Sequence, residues 1–207
     1  GKIFKKFIKK FNIPFALTWN ADDFIDSNHP MYIGRPGAFG SRGANFIVQN
    51  CDLYLSIGTR LPYMVTGYDA KEFAKRAKTK IMIDVDSKEL NKKDLKMDIK
   101  IKCDAKYFLE KLYKYMKNFK KNSKWISYCK KTKNKYPIVL ESMKKQKKFI
   151  NSYYFVNTLS NLLNKRDVII TDMGFSFTTS HQTLKIKSGQ KFHTNSGHAP
   201  MGWGLPA

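Results

Sequence analysis

Residues 52–86 read DLYLSIGTRLPYMVTGYDAKEFAKRAKTKIMIDVD, and this stretch decides the fold. It opens with an almost continuous apolar run at 52–58 and closes with a second one at 80–86. Short apolar runs of this kind are typical of strands that are buried on both faces of a sheet. A short helix is predicted between them at 70–77, and parallel strands need such a crossover. The stretch therefore predicts a parallel β-α-β unit.

The same alternation extends on both sides of this unit. Before it, the sequence predicts a helix at 2–12, a short strand at 14–19, a long irregular stretch and a helix at 42–50. After it come a turn, SKELNKK, a short strand at 99–102 and a helix from Asp104, its N-cap, to about Phe119. Residues 1–118 are therefore predicted to form one doubly wound α/β domain with a mostly parallel sheet, whose first helix has no strand before it.

The rest of the chain divides at a change of composition. Residues 119–150 are rich in lysine and are predicted to form a helix followed by a linker. From 151 the α/β pattern restarts, with helices at 153–163 and 175–184, strands at 167–174 and 191–194, and a glycine-rich loop. Residues 151–207 are therefore expected to be the first part of a second α/β domain.

Composition narrows the function classes. The formal net charge is +23, but only five residues are arginine, the side chain best suited to bidentate phosphate and base recognition. We therefore interpret the lysines as a solvated surface and expect nucleic acid not to be a partner. The three cysteines form no paired motif, and no apolar run approaches the roughly 18 residues of a membrane span. A cytoplasmic protein is expected.

Three stretches of residues 1–118 could bind a ligand. GRPGAFGSRGAN (34–45) fits a phosphate-cradling loop or, equally, a structural glycine turn. Arg60 follows a buried strand and could meet a phosphate, a flavin edge or a neighbouring carboxylate. Asp84 and Asp86 end the next strand and could accept ribose hydroxyls, or act as a helix cap and an ion-pair partner.

Residues 151–207 hold another pair of candidate loops. ITDMG (170–174) ends a strand, and NSGHAPMGWGLPA (195–207) runs toward a helix N-terminus. Two such loops side by side can bind a diphosphate through backbone amides. The histidines nearby have no catalytic partner visible in the sequence, and we expect surface or loop positions for His181, His193 and His198.

Taken together, the motifs and their order along the chain resemble those of the thiamine diphosphate enzymes of the acetolactate synthase type. The resemblance rests on the glycines of 34–40 with Ala44-Asn45, on DLYLSIGTRLPYMVTG (52–67) and on IDVDSKEL (83–90). Asp104-Ala105, Thr171-Asp172-Met173-Gly174 and MGWGLPA (201–207) complete it. The match covers about residues 14–207 except the lysine-rich linker. It departs from the synthases at Leu61-Pro62-Tyr63-Met64, where they carry F-D-D-R, and this favours a paralogue of a specialised sugar or 2-oxo acid pathway.

The resemblance implies a cofactor, a metal and a substrate class. The substrate would be a 2-oxo acid, and thiamine diphosphate with Mg²⁺ would be the cofactor. The implied thiamine diphosphate residues are Asp172, Gly174, Phe175, Ser176, Ala199, Met201 and Gly202. FAD is possible in the middle domain, and its implied residues are Gly34, Gly37, Phe39, Gly58, Thr59, Arg60, Asp84, Val85 and Asp104.

The resemblance also implies what lies outside these residues. The family binds Mg²⁺ through a GDG…N motif, and this sequence contains no GDG. We therefore expect an internal fragment without a complete catalytic site, with no metal ligand of its own, from a full-length homodimer or homotetramer. The alternatives are a non-catalytic nucleotide- or FAD-binding module and, less favoured, a basic nucleic-acid-binding protein.

Overall fold

A computed structural model of the chain describes residues 1–195 and 197–207. The strands are β1 (Phe15–Ala16), β2 (Tyr32–Gly34), β3 (Leu53–Ile57), β4 (Thr79–Asp84), β5 (Ile99–Lys102), β6 (Val168–Thr171) and β7 (Lys191–Thr194). The helices are α1 (Lys2–Phe11), α2 (Arg42–Asn50), α3 (Tyr63–Thr66), α4 (Ser87–Leu90), α5 (Ala105–Tyr115), α6 (Ser123–Lys135), α7 (Glu141–Lys144), α8 (Ser152–Leu162) and α9 (Phe175–Thr183), with one 3-10 turn at Trp19–Ala21.

All strand pairs in the described residues are parallel. β1 pairs with β2, β4 lies between β3 and β5, and β6 pairs with β7. In the central pair Ile57 lies opposite Ile83, so both strands end at the same edge of the sheet. The predicted α/β class with parallel sheets is confirmed, although the strands of residues 1–118 form two hydrogen-bonded sheets.

Helices cover both faces of the sheet β3-β4-β5. On one side, Met82 of β4 is buried in a cluster with Ile47 and Val48 of α2. On the other, Ile57 of β3 packs against the cluster that holds the apolar stripe of α1 and Leu109 of α5. Apolar residues spaced three and four apart give α1 this stripe, and the helix ends at Asn12, whose φ of 50° is left-handed. The sheet is therefore doubly wound, as the sequence predicted.

The boundaries of several short elements differ from the predictions. The helix predicted at 70–77 is wrong: those residues form turns, and Ala74 has a φ of 48° that a right-handed helix does not allow. The turn predicted at SKELNKK instead begins with the helix α4, because the Asp86 side chain caps it by accepting the Lys88 N–H at 2.8 Å. β2 and α3 were not predicted, since each is too short to show a period.

The lysine-rich region packs on the rest of the chain through α6. Cys129 of α6 is buried in the same cluster as α2. A Cβ at Gly43 of α2 would lie 3.3 Å from the Lys133 Cα, so the two helices approach closely at this glycine. Helix α6 thus adds a packed layer beside α2. The domain limits 1–118, 119–150 and 151–207 stay predictions.

Residues 151–207, here called the C-terminal segment, have a small core of their own. Val156, Leu184, Ile186 and Phe192 form it, with Leu163 and Ile169 packed against it. Several hydrogen bonds join this segment to the loop after β1. The Ser27 N–H donates to the Ile186 carbonyl at 2.9 Å, the Ile186 N–H donates to Ser27 Oγ at 3.0 Å, and the Ser188 N–H donates to Asp26 Oδ2 at 3.2 Å. These hydrogen bonds connect the segment to residues 1–118.

Candidate functional site

The turn after β6 is the first part of the candidate site. β6 ends at Thr171, Gly174 precedes α9, and Phe175 is the first helical residue. Nothing lies within 4 Å of the point where a Cβ at Gly174 would stand. Open space before the first turn of a nine-residue helix leaves room for an anion near its N-terminal N–H groups. The turn is therefore not covered by other parts of the described chain at Gly174.

The loop 197–207 is the second part, and Asp172 holds it against the turn. The Gly202 N–H donates to Asp172 Oδ2 at 2.7 Å, and the Met173 N–H donates to Oδ1 at 2.7 Å. Gly204 lies so close that a Cβ there would stand 2.8 Å from the Asp172 nitrogen. The structure thus brings together the two motifs that the sequence analysis placed at one site. Ser196, in the same loop, lies outside the described residues.

Three apolar side chains at these two motifs are open to solvent. Phe175 is 68% exposed, Met201 90% and Leu205 97%. Ser176 is exposed, but its hydroxyl donates within the turn, to the Asp172 carbonyl at 2.9 Å and the Met173 carbonyl at 3.1 Å. Ala199 is exposed with a φ of 54°, and its N–H donates to the Asn195 carbonyl at 2.8 Å. The site therefore offers open space at Gly174 and apolar surface, while the N–H groups of Ala199 and Gly202 already donate within the chain.

The glycine-rich loop 34–45 uses its backbone amides inside the chain. The Gly37 N–H donates to Asn45 Oδ1 at 2.7 Å, the Ala38 N–H to the Met64 carbonyl at 2.7 Å and the Ser41 N–H to the Arg35 carbonyl at 2.7 Å. Gly37 has a φ of 120°, and a Cβ there would stand 2.5 Å from the Met64 oxygen. Of the two interpretations of this loop, the structure favours the glycine turn over the phosphate cradle.

The other residues implied for FAD meet at the carboxyl edge of β3-β4-β5, but their polar groups are also engaged. Arg60 forms an ion pair with Glu89 at 2.9 Å, and the Asp84 carboxylate accepts the Asp86 N–H at 3.0 Å. Asp104 caps α5 by accepting the Tyr107 N–H at 2.9 Å. The ion pair of Arg60 matches its structural alternative, and Asp86, which caps α4, matches the helix-cap alternative for the acidic residues. Among the described residues neither Asp84 nor Asp86 forms an ion pair, and FAD binding at this edge stays a prediction.

The remaining residues implied for FAD have uncharged side chains or are glycines. The Gly58 N–H donates to the Ile83 carbonyl at 2.9 Å, so β3 continues its pairing to that glycine. A Cβ at Gly34 would stand 2.7 Å from Ser41 Oγ. Phe39 and Thr59 are half-buried, and Val85 is exposed. Gly34 thus lies in the packed glycine turn, and the rest contribute only backbone and apolar surface.

His181 is buried, so the expectation of a surface or loop position is wrong for it. Its Nδ1 lies 2.8 Å from Asp22 Oδ2, and the other carboxylate oxygen accepts from Arg35 Nε at 2.7 Å. Arg35 also donates from Nη1 to the Leu184 carbonyl at 3.2 Å. We call these three residues the charged junction. His193 and His198 are exposed, as expected.

No residue-level signal in the sequence marks the charged junction. Asp22 and His181 are 159 positions apart. Arg35 lies within the glycine-rich loop that the sequence analysis treated only as a backbone feature. The Asp22 charge nonetheless acts on Arg35: burial alone would lower the pKa of Arg35, but Asp22 raises it above the ordinary value.

Across 1–195 and 197–207, no group of three or more His, Cys, Asp or Glu side chains could hold a metal ion. In the same ranges, no helix is long and apolar enough to cross a membrane.

The family assignment comes from comparison with known proteins. Residues 1–112 match the family model described as "Thiamine pyrophosphate enzyme, central domain". This chain belongs to the thiamine pyrophosphate enzyme family.

Within that family, the chain is similar to acetolactate synthase large subunits. It is 33% identical to the acetolactate synthase large subunit of Cyanidium caldarium, over 94% of this chain and 33% of that protein. It is 30% identical to a probable acetolactate synthase large subunit of Methanococcus aeolicus, over 98% of this chain and 35% of that protein. The Lactococcus lactis large subunit is 29% identical over 99% of this chain and 35% of its own length. The chain therefore spans about a third of the length of these relatives.

Proposed function

We propose that this chain provides the central domain and the first part of the cofactor-binding domain of a thiamine diphosphate- and Mg²⁺-dependent enzyme that acts on 2-oxo acids. The reaction would be decarboxylation and carboligation of the acetolactate synthase type. The hydrogen bond between Asp172 and Gly202 carries the proposal, because it joins the T-D-M-G turn to the M-G-W-G-L-P-A loop. The similarity to acetolactate synthase large subunits over nearly the whole chain supports it.

The C-terminal segment fits thiamine diphosphate at both ends of that molecule. The diphosphate is anionic and suits the open turn at Gly174, at the N-terminus of α9. The aromatic rings are largely apolar and suit the exposed Met201 and Phe175 side chains. When bound, thiamine diphosphate supplies the nucleophilic carbon and the electron sink for 2-oxo acid chemistry.

In this proposal the chain's own residues bind and orient. The turn at Gly174–Ser176 would hold the diphosphate through backbone N–H groups. The backbone around Ala199 and Met201 and the side chain of Met201 would hold the aminopyrimidine ring and favour a bent conformation of the cofactor, while Gly202 would support this loop through its bond to Asp172. Asp172 would act on the loop and not on the cofactor, since both of its oxygens accept backbone N–H groups.

The proposal extends to the metal, to catalysis and to the assembly of the protein. The sequence has no Gly-Asp-Gly run, and the described residues hold no metal cluster, so we propose that these residues alone do not complete the metal site or catalyse the reaction. The active protein would be a homodimer or homotetramer. FAD stays a prediction of the resemblance, and the absorption spectrum of the purified protein tests it.

The proposed function is tested on the complete reading frame that encodes this chain. The protein is titrated with thiamine diphosphate and Mg²⁺, and cofactor binding and 2-oxo acid decarboxylation are followed together. Saturable binding together with decarboxylation supports the proposal. Replacing Met201 by Ala should weaken the binding of thiamine diphosphate. A folded protein that neither binds the cofactor nor decarboxylates any 2-oxo acid overturns it. Leu53→Ala, at an exposed side chain of β3, is the control.

A further inference from the structure

The charged junction connects two distant parts of the chain through one carboxylate. Asp22 follows the 3-10 turn after β1, Arg35 follows β2, and His181 lies on α9. Asp22 Oδ1 accepts from Arg35 and Oδ2 faces His181, at 2.7 and 2.8 Å. A carboxylate only accepts hydrogen bonds, so Nδ1 of His181 is the donor in this contact. Asp22 therefore holds one donor from each part.

All three side chains are buried. The exposed fraction of the Asp22 side chain is 0%, that of Arg35 5% and that of His181 2%. Removing charges from water costs several kcal/mol for each ion, and a buried pair often contributes little net stability. It does require an accurate geometry, because a displaced partner leaves a buried charge unpaired. Such a junction therefore determines where its side chains lie more than it determines the stability of the fold.

Aromatic packing surrounds the same histidine. The ring of Phe177 stacks on His181 with an angle of 20° and a centroid distance of 5.5 Å. Trp19, three positions before Asp22, meets both rings edge-on, at 6.1 Å from Phe177 and 6.0 Å from His181. The charged junction and this packing both hold α9, and α9 cannot rotate about its axis without breaking them.

Helix α9 begins at the turn that we propose binds the diphosphate. His181 lies six positions after Phe175, which corresponds to about 9 Å along a helix. A helix of this length is stiff, so the placement of His181 fixes the placement of the N–H groups at its first turn. A further contact with residues 1–118 comes from the neighbouring Gln182, whose Nε2 donates to the Gly40 carbonyl in the glycine-rich loop at 3.2 Å.

We propose that Asp22 is a positioning residue for cofactor binding: through His181 and Arg35 it sets the place of α9, and hence of the diphosphate-binding turn, relative to residues 1–118. This inference rests on the proposed function only for the identity of the ligand. The placement of α9 by Asp22 is a property of the chain itself and is measured without a cofactor.

The test compares two replacements of one histidine in the complete reading frame. His181→Asn keeps an N–H donor near the position of Nδ1, whereas His181→Leu removes it. Lys185→Met, at an exposed position two residues after α9, is the matched control. Three quantities are measured for each protein: hydrogen exchange of the amides of residues 174–178, the dissociation constant for thiamine diphosphate with Mg²⁺, and the free energy of unfolding in urea.

We expect His181→Leu to speed exchange at 174–178 by about tenfold and to weaken cofactor binding by about tenfold. His181→Asn and Lys185→Met should stay within about threefold of the parent protein in both measurements. Unchanged exchange at 174–178 in His181→Leu, with only a lower free energy of unfolding, would overturn the proposal. So would equal effects of the Leu and Asn replacements.

Two further results keep the test decisive. If His181→Leu does not fold, His181→Phe takes its place, since it keeps a ring to stack on Phe177 but removes the Nδ1 contact with Asp22; normal exchange at 174–178 in that variant overturns the proposal. If the parent protein binds no thiamine diphosphate, the proposed function fails, while the exchange measurement still decides whether Asp22 positions α9.

Discussion

The carboxylate of Asp172 accepts the backbone N–H of Gly202 at 2.7 Å, across 30 positions of the chain. The same side chain accepts the Met173 N–H, so it closes its own turn and holds the loop with one group. The two motifs of the candidate site are therefore linked before any ligand arrives.

Replacing Asp172 by Ala should loosen the loop and leave the fold intact. The hydrogen bond is exposed, so we expect a loss of stability of only about 1 kcal/mol. Hydrogen exchange at Gly202 should become faster. Asp167→Ala is the control, because its carboxylate accepts the Asn164 N–H at 2.7 Å, elsewhere in the same segment. Unchanged exchange at Gly202 in Asp172→Ala would contradict the structural role given to that carboxylate.

Replacing Gly37 by Ala should destabilise the chain strongly. The new Cβ would stand 2.5 Å from the Met64 oxygen, at a φ of 120° that side chains rarely adopt. We expect a loss of more than about 2 kcal/mol in urea unfolding. Gly67→Ala is the control, since Gly67 also has a positive φ, 76°, but nothing lies within 4 Å of its Cβ position. Its loss should be about 1 kcal/mol, and equal losses would rule out the close contact.

The three cysteines should differ in reactivity toward a thiol reagent. Burial raises the pKa of the Cys51 thiol to about 11 and that of Cys129 to about 12, so little thiolate forms at pH 8. Cys103 is only half-buried. For these three cysteines we expect one fast equivalent in the native state, absent in Cys103→Ser, and reaction of Cys51 and Cys129 as well in urea, each identified by peptide mapping. A fast phase that survives Cys103→Ser would show that Cys51 or Cys129 is accessible.

The ion pairs of Glu89 should make stability depend on pH. Burial alone would raise the pKa of Glu89, but hydrogen bonds and charges from Lys92 and Arg60 lower it below the ordinary value of 4.5. A carboxyl group whose pKa is lowered in the folded state stabilises that state at pH values above the group's ordinary pKa. This contribution is lost as the pH falls from 4.5 through the lowered folded value.

Glu89→Gln should therefore reduce the free energy of unfolding at pH 7, and its difference from the parent protein should shrink below pH 4.5. Urea unfolding across this pH range measures it. Glu72→Gln is the control, because the pair of Glu72 with Lys75 is exposed at both ends. A difference for Glu89→Gln that stays constant from pH 7 to pH 3 would contradict the cause given for the shift.

The main strands and long helices could be predicted from sequence because each carries its own local pattern. The apolar runs of β3 and β4 and the three-four spacing of α1 and α5 need no information from elsewhere in the chain. β2 has three residues and α3 four, so neither spans enough positions to show a period. The predicted helix at 70–77 failed because Ala74 adopts a positive φ that its identity does not predict.

The candidate site, too, could be predicted from the sequence only in part. Motif order and resemblance predicted that the turn at Gly174 and the loop at Met201 belong together. The charged junction could not be predicted, because its contacts depend on the tertiary packing of residues far apart in sequence. His181 lies in FSFTTSHQT, a helix without apolar periodicity, and nothing local distinguishes a buried histidine there from an exposed one.

Parallel pairing has a kinetic consequence for the chain. No strand pair in the described residues can begin as a hairpin, because parallel neighbours are always separated by a crossover. Pairing β3 with β4 requires residues 58–78 to close into a loop. The conformational entropy of this loop is lost before any hydrogen bond between the two strands forms. The chain should therefore refold more slowly than a hairpin-rich protein of equal length, with unpaired strand edges present during that time.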